Sequence, residues 1–471
     1  MISRRNFLSV SAATFGAALT LPPFRLNADE SKPYQILAAK PGTAPLAGAN
    51  APPVKVWAYQ GQVPGPVIRA RRGEKIRVRL NNGLAQPTTI HWHGIRIDNA
   101  MDGVPGLTQD AVQPGKTFDY SFTVPDAGTY WYHPHHLSWE QVARGLYGLL
   151  IVEEETPPMV DRELPFVADD WRLNKAGQID DASFGNLGDW SHGGRMGNWL
   201  TVNGLTDPEI PVRGGERIRL RMVNTANARV LAFDFAPLTA QVIALDGQPV
   251  SPWTLGAGGL RLAPGQRADI ILDIPAEPGA ILPIQEVSTR NPIKAATFKV
   301  AAGQPLRAIS PNDPIVLAPN RLLAAPTLDS AQLIELLMEG GAMGGLRQGS
   351  IDGAMVSIEE LVQKKLVWAF NGAVGMQKKP LATIPRGRTA VINMVNRTAF
   401  PHAMHLHGHH FRVVERNGKT VHGAPWRDTE LANPDERVRI AFVADNPGKW
   451  LFHCHTLEHT AAGMVTWVEV V

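Results

Sequence analysis

Three segments of the 471-residue chain repeat one pattern of apolar and polar positions. In each segment apolar residues alternate with others between a glycine and an asparagine nine residues later, and an Asn-Gly or Gln-Gly pair lies upstream. The segments are 73–82, 215–224 and 387–396. Alternation with a period of two, bounded by turn residues, predicts β-strands. Its recurrence along the chain predicts three copies of one domain.

A second marker follows each of these segments. Pro114-Gly115 leads to Gly128, Pro264-Gly265 leads to Gly279, and Pro434-Asp435 leads to Gly448. The two markers together predict an all-β protein made of three β-sandwich domains, each of ~120–170 residues. We place these domains at 34–155, 156–302 and 303–471, with boundaries at 153–158 and in the Pro/Ala-rich stretch around 301–330. Short helices are expected at 357–365 and 139–144.

The composition is typical of a globular protein with many turns, since the chain has 44 glycines and 38 prolines. A net charge of +3 and the lack of a basic stripe argue against nucleic acid or a membrane surface as a partner. Cys454 is the only cysteine, which excludes an internal disulfide framework.

The N-terminus has the pattern of an export signal. Ser3-Arg4-Arg5-Asn6-Phe7-Leu8 is followed by an apolar run of small residues to about Leu21. This pattern resembles a twin-arginine signal peptide, which we place at residues 1–28. The apolar run is too short for a comfortable membrane span. We therefore expect a periplasmic, possibly secreted, protein that has used the twin-arginine export machinery and has no membrane anchor after signal removal.

The first and third copies carry histidines at equivalent places. Two histidines lie nine and eleven residues after the shared asparagine, and two more lie five and seven residues after the later glycine. In the first copy these are His91, His93, His133 and His135, and in the third they are His405, His407, His453 and His455. The corresponding places in the second copy include Phe233, Phe235 and Ile284. Eight imidazoles are too many for one metal ion. Two or three ions, held where the first and third domains meet, are the simplest interpretation.

A second ligand set surrounds Cys454. Side chains alternate along a strand, so Cys454 faces away from His453 and His455, and His402 faces away from His405. His402, Cys454, His459 and Met464 then remain for a site of their own. Two imidazoles, a thiolate and a weak thioether are the ligands of a blue-copper electron-transfer centre. The first domain has Thr88 and Pro134 in place of His402 and Cys454, so it lacks this site.

Four motifs resemble those of the multicopper oxidases, the laccase-like family. They are His91-Trp92-His93-Gly94, Trp131-Tyr132-His133-Pro134-His135, His402-Ala403-Met404-His405-Leu406-His407-Gly408, and His453-Cys454-His455 with His459 and Met464. The resemblance covers about residues 34–471 and implies three cupredoxin-like Greek-key domains. Every ligand position of the family is present at the family's spacing.

The resemblance also implies four copper ions and a ligand for each. The type 1 copper would be bound by His402, Cys454 and His459, with Met464 as the axial ligand. The type 2 copper would be bound by His91 and His405. One type 3 copper would be bound by His93, His133 and His455, and the other by His135, His407 and His453. The family reaction consists of four one-electron oxidations at the type 1 site, transfer through Cys454 and its flanking histidines, and reduction of dioxygen to two waters. A small electron donor and dioxygen are thus the expected partners.

Two positions bear on the four protons that this reaction consumes. Asp102, in Met101-Asp102-Gly103, matches an acidic residue near the cluster in similar bacterial enzymes, although an aspartate in a turn before glycine is an equally good interpretation. Relatives often carry a glutamate directly after the second type 1 histidine, and here that residue is Thr460. Asp102 is therefore a candidate for proton relay, while the usual route through the glutamate is in doubt.

The nature of the donor remains open at this level. A laccase-type oxidase of phenolic or other aromatic donors is the leading hypothesis, and a metallo-oxidase of Cu(I) or Mn(II) in metal tolerance is the second. Four methionines of the third domain, Met338, Met343, Met355 and Met376, are candidates for a transient cuprous site. Two other classes of protein are less consistent with the sequence. A copper-free scaffold of the same fold would have lost metal ligands, and none is missing here. A copper nitrite reductase would not have a histidine on each side of the cysteine, as this chain does.

Overall fold

The computed structural model describes residues 33–48, 50–308, 313–321 and 325–471. The predicted signal peptide, 1–28, lies outside the described residues. Strands make up most of the regular structure and pair into two main sheets per sandwich, with a further two-stranded sheet in the third, so the prediction of an all-β fold is confirmed. The strands of the three sandwiches span residues 35–153, 162–300 and 332–470.

The first and second sandwiches contain nineteen strands in the described residues. Those of the first are β1 (Gln35–Ala44), β2 (Val54–Tyr59), β3 (Gly65–Arg71), β4 (Lys75–Asn82), β5 (His91–His93), β6 (Thr117–Thr123), β7 (Gly128–His133) and β8 (Gly148–Glu153). Those of the second are β9 (Arg162–Trp171), β10 (Trp199–Val202), β11 (Glu209–Val212), β12 (Arg217–Asn224), β13 (Leu231–Asp234), β14 (Ala240–Leu245), β15 (Gln248–Thr254), β16 (Leu260–Leu262), β17 (Arg267–Asp273), β18 (Ile281–Glu286) and β19 (Ile293–Val300).

The third sandwich contains the remaining strands of the described residues. They are β20 (Gln332–Gly340), β21 (Gln348–Ile351), β22 (Ala354–Ser357), β23 (Trp368–Phe370), β24 (Ala382–Ile384), β25 (Thr389–Asn396), β26 (His402–Leu406), β27 (Phe411–Arg416), β28 (Lys419–Thr420), β29 (Trp426–Arg427), β30 (Thr429–Ala432), β31 (Arg437–Val443), β32 (Gly448–Cys454) and β33 (Val465–Val470).

The repeated sequence segment forms the same central strand in every sandwich. β4, β12 and β25 each begin two residues after the repeated glycine and end at the repeated asparagine. Each pairs in parallel with the first strand of its sandwich (β1, β9 or β20) and antiparallel with the strand after the second marker (β6, β17 or β31). The upstream Asn-Gly and Gln-Gly pairs have positive φ at both residues, as a tight hairpin turn requires.

The repeated asparagine is buried and closes the loop that follows its strand. The Asn224 amide donates to the carbonyls of Arg229 and Leu262, both at 2.8 Å, and its carbonyl oxygen accepts from the Ala226 amide at 3.0 Å. Asn82 and Asn396 make the same three kinds of bond in their own domains. One side chain thus fixes the path of the chain toward the next strand, which carries the paired histidines in the first and third domains.

The histidine-bearing strands lie side by side in the second sheet of each sandwich. β5 pairs with β7 so that His91 faces His133, and β26 pairs with β32 so that His405 faces His453. In the second sandwich the matching strands β13 and β18 pair with Phe233 opposite Glu286. The register therefore brings the two motifs of each histidine-bearing domain onto one face of one sheet.

Apolar side chains fill a separate core in each sandwich. The cores are centred on residues such as Leu80 and Tyr130 in the first, Leu220 and Ile284 in the second, and Leu336 in the third. Phe233, Phe235 and Ile284 belong to the second core, whereas the matching strands of the first and third sandwiches turn Trp92 and Met404 into the core and their histidines to the opposite face. The expectation that these three residues take the places of the histidines is therefore wrong: they lie on the inner face of their sheet, and Phe233 pairs with Glu286 rather than with Ile284.

Four short α-helices occur in the described residues: α1 (Ser138–Gln141), α2 (Leu187–Ser191), α3 (Ile358–Gln363) and α4 (Leu457–Ala461). α1 and α3 overlap the two helices expected from the sequence. Ser357 caps α3, since its hydroxyl accepts from the Glu360 amide. Within the described chain, no helix has the length and apolar character needed to cross a membrane.

We expect Asn224→Ala to destabilise the second sandwich strongly. The variant leaves the Arg229 and Leu262 carbonyls and the Ala226 amide without their buried partner, and each such loss costs about 1–3 kcal/mol. The free energy of unfolding, measured by chemical denaturation, should fall by about 2–5 kcal/mol. Asn291→Ala, at an exposed loop position, is the matched control and should change it by less than about 0.5 kcal/mol. Equal stability of the two variants would contradict this role for Asn224.

Candidate metal centres

Eight imidazoles from the first and third sandwiches meet in one buried cluster. We call this set, which comprises His91, His93, His133, His135, His405, His407, His453 and His455, the histidine cluster. Rings from the two domains stack on each other: His91 lies 3.9 Å from His407 and His93 lies 3.7 Å from His405, centroid to centroid. His135 approaches His453 to 5.0 Å. The structure therefore places together all eight residues that the sequence predicted as cluster ligands.

The ligand nitrogens of the cluster converge in groups that suit metal ions. His135, His407 and His453 have nitrogens within 4.8 Å of one another, as do His91, His405 and His407, and His91, His93 and His133. His455 joins from the other side, with its ring 4.9 Å from His93 and 5.3 Å from His133. The first group coincides with one predicted type 3 set, and the other two contain the remaining predicted cluster ligands except His455.

Several of these nitrogens have no other partner. The buried atoms His91 Nε2, His93 Nδ1, His133 Nε2 and His405 Nε2 lack a hydrogen bond in the described protein, and so do both ring nitrogens of His455. Buried polar atoms are almost always paired. A cluster of orphaned imidazole nitrogens that face one another fits bound copper ions, because neutral imidazole is a good ligand for copper.

Burial favours the neutral form of most of these imidazoles. It lowers the pKa of seven histidines in the two ligand sets well below the usual value, and repulsion between neighbouring rings adds to the effect; the seven are His93, His133, His135, His402, His407, His453 and His455. A protonated imidazole cannot bind a metal ion. The site is therefore ready for metal at neutral pH without having to lose protons first.

Cys454 and two histidines form a second, separate group. Cys454 Sγ lies 3.5 Å from His402 Nδ1 and 3.7 Å from His459 Nδ1, and the two nitrogens are 3.1 Å apart. Burial raises the pKa of the Cys454 thiol to about 12, so a thiolate is expected only when a metal ion compensates its charge. Met464 is buried beside them and its carbonyl accepts from the Cys454 amide. These are the residues predicted for the type 1 centre.

Further contacts fix the two imidazoles of this group. The Thr398 hydroxyl lies 2.7 Å from His402 Nε2, and His459 Nε2 donates to the carbonyl of His192 at 2.6 Å. Trp368 packs against both rings, at 5.1 and 4.4 Å. Each histidine thus has one nitrogen held by the protein, and the other, Nδ1, faces the sulfur. A segment of the second sandwich, through His192, covers the outer edge of His459.

The triplet His453-Cys454-His455 joins the two groups. His453 Nε2 lies 3.2 Å from His407 Nε2 in the cluster, whereas Cys454 Sγ faces His402 and His459. β32 ends at Cys454, so His455 lies one residue beyond the strand that the sequence predicted for all three. Its amide still donates to the Ala403 carbonyl at 2.6 Å, which continues the pairing with β26 and preserves the alternation.

The two positions linked to protons lie against cluster ligands. The Asp102 carboxylate is 2.9 Å from His407 Nδ1, and its main-chain carbonyl accepts from His91 Nδ1 at 2.9 Å. Asp102 is therefore more than a turn residue, since it orients one ligand from each domain. Thr460 Oγ1 lies 3.1 Å from His453 Nδ1 and also donates to the Cys454 carbonyl. A hydroxyl thus occupies the place where the family resemblance led us to expect a carboxyl group.

Sequence reasoning did not identify Asp428 or Arg267. The Asp428 carboxylate lies 3.2 Å from His93 Nε2 and makes two hydrogen bonds with Arg267, at 2.8 and 2.6 Å. Burial alone would raise the pKa of Asp428, but the charge and hydrogen bonds of Arg267 hold it well below the usual range. The only sequence signal was position: Arg267 follows the Pro264-Gly265 marker by two residues.

Models of one protein family match all three sandwiches. Three multicopper oxidase models match residues 43–157, 162–303 and 354–471. A multicopper oxidase of Mycobacterium tuberculosis is 30% identical over 464 residues, which cover 92% of this chain and 86% of the relative. The chain belongs to the multicopper oxidase family.

Solved structures of the same family share the fold. A multicopper oxidase from Pseudomonas thermotolerans is 32% identical, with a TM-score of 0.80 over 93% of this chain and 99% of the other. Lac15, from a marine microbial metagenome, is 38% identical, with a TM-score of 0.74 over 93% and 100% of the two chains. The predicted family is thus confirmed, and this multicopper oxidase is an oxidoreductase that uses copper.

We expect Cys454→Ser to abolish the blue colour of the copper-loaded protein. The colour of a His₂Cys copper site depends on its thiolate, and a serine hydroxyl is a hard, protonated replacement. The absorption spectrum and the rate of donor oxidation would both be measured, and both should be lost. Met376→Leu, at an exposed methionine outside both ligand sets, is the control and should remain blue. A colourless wild-type protein with full copper content would disprove the type 1 assignment.

Proposed function

We propose that this multicopper oxidase couples four one-electron oxidations of a small phenolic or aromatic donor to the reduction of one dioxygen to two waters. The observation that carries the proposal is the pair of ligand groups joined through Cys454, one with a thiolate and one with eight imidazoles. We assign one type 1, one type 2 and two type 3 copper ions to these groups. Bound there, copper supplies the one-electron redox steps and the site at which dioxygen is reduced.

Residues of the chain perform the supporting steps. Cys454 and its two neighbours in sequence connect the donor side of the protein to the cluster. Asp102 holds His407 and His91 in place, and its carboxylate is the acidic group that we propose as a proton relay. Burial of the imidazoles keeps bulk water from the cluster. Thr460 orients His453 but has no carboxyl proton to give, so the relay relies on Asp102.

A groove between the second and third sandwiches is the feature that favours an organic donor. It has a volume of about 740 Å³ and is lined by residues that include Met196, Val230, Arg261, Val287, Phe400 and Thr456. Its wall also contains Pro401 and Ala403, which flank His402, and Gly193, which follows His192. Because the His192 carbonyl accepts from His459, a molecule in this groove is one peptide away from a type 1 ligand. We call it the donor groove.

The charge of the donor groove favours an anionic aromatic donor. Arg229 and Arg261 line it, and none of its lining residues in the described chain is acidic. The Arg229 charge is balanced by Asp170, at 2.8 Å, whereas Arg261 is exposed and has no such ion pair in the described protein. An apolar wall with one free guanidinium suits a carboxylated or sulfonated phenol.

A metal-ion donor is the second candidate, and one cluster of side chains favours it. His192 is exposed and uses only Nδ1, which lies 2.8 Å from the Gly188 carbonyl. Met196 and Met343 are also exposed, and the Met343 loop is joined to α2 by the Ala342 amide, which donates to the Ser191 carbonyl at 2.6 Å. Thioethers and imidazole suit Cu(I). These residues lie over the type 1 group, where a cuprous donor would deliver its electron.

We also propose a periplasmic location, reached by twin-arginine export. The proposal rests on the Arg4-Arg5 pattern and the apolar run after it. Export of a folded chain would allow the buried cluster to receive copper before the protein crosses the membrane. Dioxygen and a small electron donor are the proposed partners, with neither nucleic acid nor a membrane among them.

Oxygen uptake with a panel of donors tests the reaction, and we expect His405→Ala to abolish it. The panel would contain a phenol, a bulky aromatic amine, Cu(I) and Mn(II). His405 belongs to the cluster and faces away from Cys454, so the blue colour of the variant should remain while dioxygen consumption stops. Retained uptake would contradict the cluster assignment. Uptake with Cu(I) alone would favour the metal-ion donor over the aromatic one.

We expect Arg261→Gln to weaken the binding of an anionic phenol. The KM for a carboxylated phenol should rise about twofold to fivefold, the range expected for an exposed ion pair, with little change in kcat. Steady-state kinetics at low and high ionic strength would measure this, and salt should reduce the difference. A neutral methoxyphenol should be unaffected, and Arg388→Gln, at an exposed position outside the groove, is the matched control. An equal change for both phenols would disprove charge selection.

A further inference from the structure

His93 presents a different ring nitrogen to the cluster from its neighbours. His91, His133 and His405 each donate from Nδ1 to a main-chain carbonyl, at 2.9, 3.0 and 2.9 Å, and leave Nε2 without a partner. In His93 the order is reversed: Nε2 is bonded to the protein and Nδ1 is buried without a partner. Something outside the strand must therefore select the tautomer of this ligand.

Asp428 supplies that selection. Its Oδ1 lies 3.2 Å from His93 Nε2, and an ionised carboxylate can only accept a hydrogen bond. His93 must then carry its hydrogen on Nε2, which leaves the lone pair on Nδ1 for a metal ion. The neighbouring Thr429 hydroxyl lies 3.3 Å from the same nitrogen. The Asp428 main-chain carbonyl meanwhile accepts from His405 Nδ1, so one residue orients a ligand from each of the two domains.

Arg267 holds Asp428 in this position from the second sandwich. Its guanidinium makes two parallel bonds to the carboxylate, at 2.8 and 2.6 Å, and both side chains are fully buried. Arg267 is itself held, since its amide donates to Asp246 at 2.9 Å and Nη1 donates to the Gly265 carbonyl at 3.1 Å. A two-pronged ion pair of this kind fixes both direction and rotation of a carboxylate.

Two glycines show how closely these groups are packed around the cluster. A Cβ at Gly94, the residue after His93, would collide with the Arg267 guanidinium and the Asp428 carboxylate. A Cβ at Gly265 would lie 3.0 Å from the rings of both His93 and His455. Both glycines also have positive φ, at 87° and 83°. The second sandwich therefore forms one wall of the cluster without offering a ligand.

We propose that Asp428 and Arg267 are positioning residues that fix the tautomer of His93 and so set the copper affinity of one type 3 position. The second sandwich, which has no copper ligand of its own, controls the occupancy of a centre that lies between the other two. The proposal rests on the four-copper assignment made above. Partners that hold a metal-binding histidine typically change metal affinity 10–100-fold when they are removed.

Asp428→Asn tests the proposal directly. Arg267 can hold the amide oxygen, which turns the amide NH₂ toward His93 and favours the wrong tautomer. We expect about 10–100-fold weaker binding of one copper, measured by titration of the full-length apoprotein with buffered copper. The blue colour should be unchanged. The copper left in the pair would lose its magnetic partner and become visible by electron paramagnetic resonance, which a merely structural defect would not produce.

Arg267→Met and Arg219→Met separate positioning from stability. Arg219 is an equally buried arginine of the second sandwich, bonded to Asp269 and Glu154 at 2.5 and 2.6 Å, and it contacts no cluster ligand in the described structure. Both variants should lower the unfolding temperature of the apoprotein, but only Arg267→Met should weaken copper binding. If Arg267→Met does not fold, Arg267→Lys replaces it, because lysine keeps the charge and loses the two parallel bonds.

Specific results would overturn the proposal. The proposal is wrong if Asp428→Asn binds copper at every site with wild-type affinity. It is also wrong if Arg219→Met weakens copper binding as much as Arg267→Met does. Additive losses of copper affinity in the double variant Arg267→Met/Asp428→Asn would also contradict the proposal, because two residues that position the same ligand should be coupled. Fewer than four copper ions in the fully loaded wild-type protein is a different outcome, because it contradicts the proposed function and not the role of Asp428.

Discussion

The structure depends on eight imidazoles that meet where the first and third sandwiches face each other. Desolvation and repulsion between rings lower the pKa of His407 and His453 well below the usual value, and five of the eight rings have at least one buried nitrogen without a hydrogen-bonding partner in the described protein. Neutral nitrogens that point at one another in a dry pocket are costly unless metal ions bind them. This constraint explains why the first and third sandwiches must meet face to face, why strand register is fixed on both sides, and why glycines occur where another chain segment presses against the rings.

Much of this arrangement could be predicted from the sequence, for local reasons. The alternating segments and their terminal asparagines predicted β4, β12 and β25, because a strand and the turn after it are determined by nearby residues. Counting from those asparagines predicted the ligands, since equivalent strands in copies of one domain carry equivalent side chains. Strand parity separated Cys454 from its neighbours for the same reason.

Other features could not be predicted because they depend on contacts between distant parts of the chain. Arg267 and Asp428 are 161 residues apart in sequence, and neither belongs to a repeated motif. The His192 carbonyl reaches His459 across 267 residues, from a loop that has no counterpart in the repeat. Asp102 was ambiguous in sequence, and only its distance to His407 distinguishes a ligand partner from a turn residue. These are the interactions that hold ligands in place, and they come from loops and from the second sandwich.

The second sandwich has a consequence for how the protein can be altered. It keeps the central strand, the buried asparagine and the paired strands of its neighbours, yet Phe233, Phe235 and Ile284 face its own core, and neither β13 nor β18 contains a histidine. The same backbone therefore exists in one molecule with and without coordinating side chains. A designer therefore has an internal comparison, because the middle copy shows how the same paired strands pack when they carry no metal ligand.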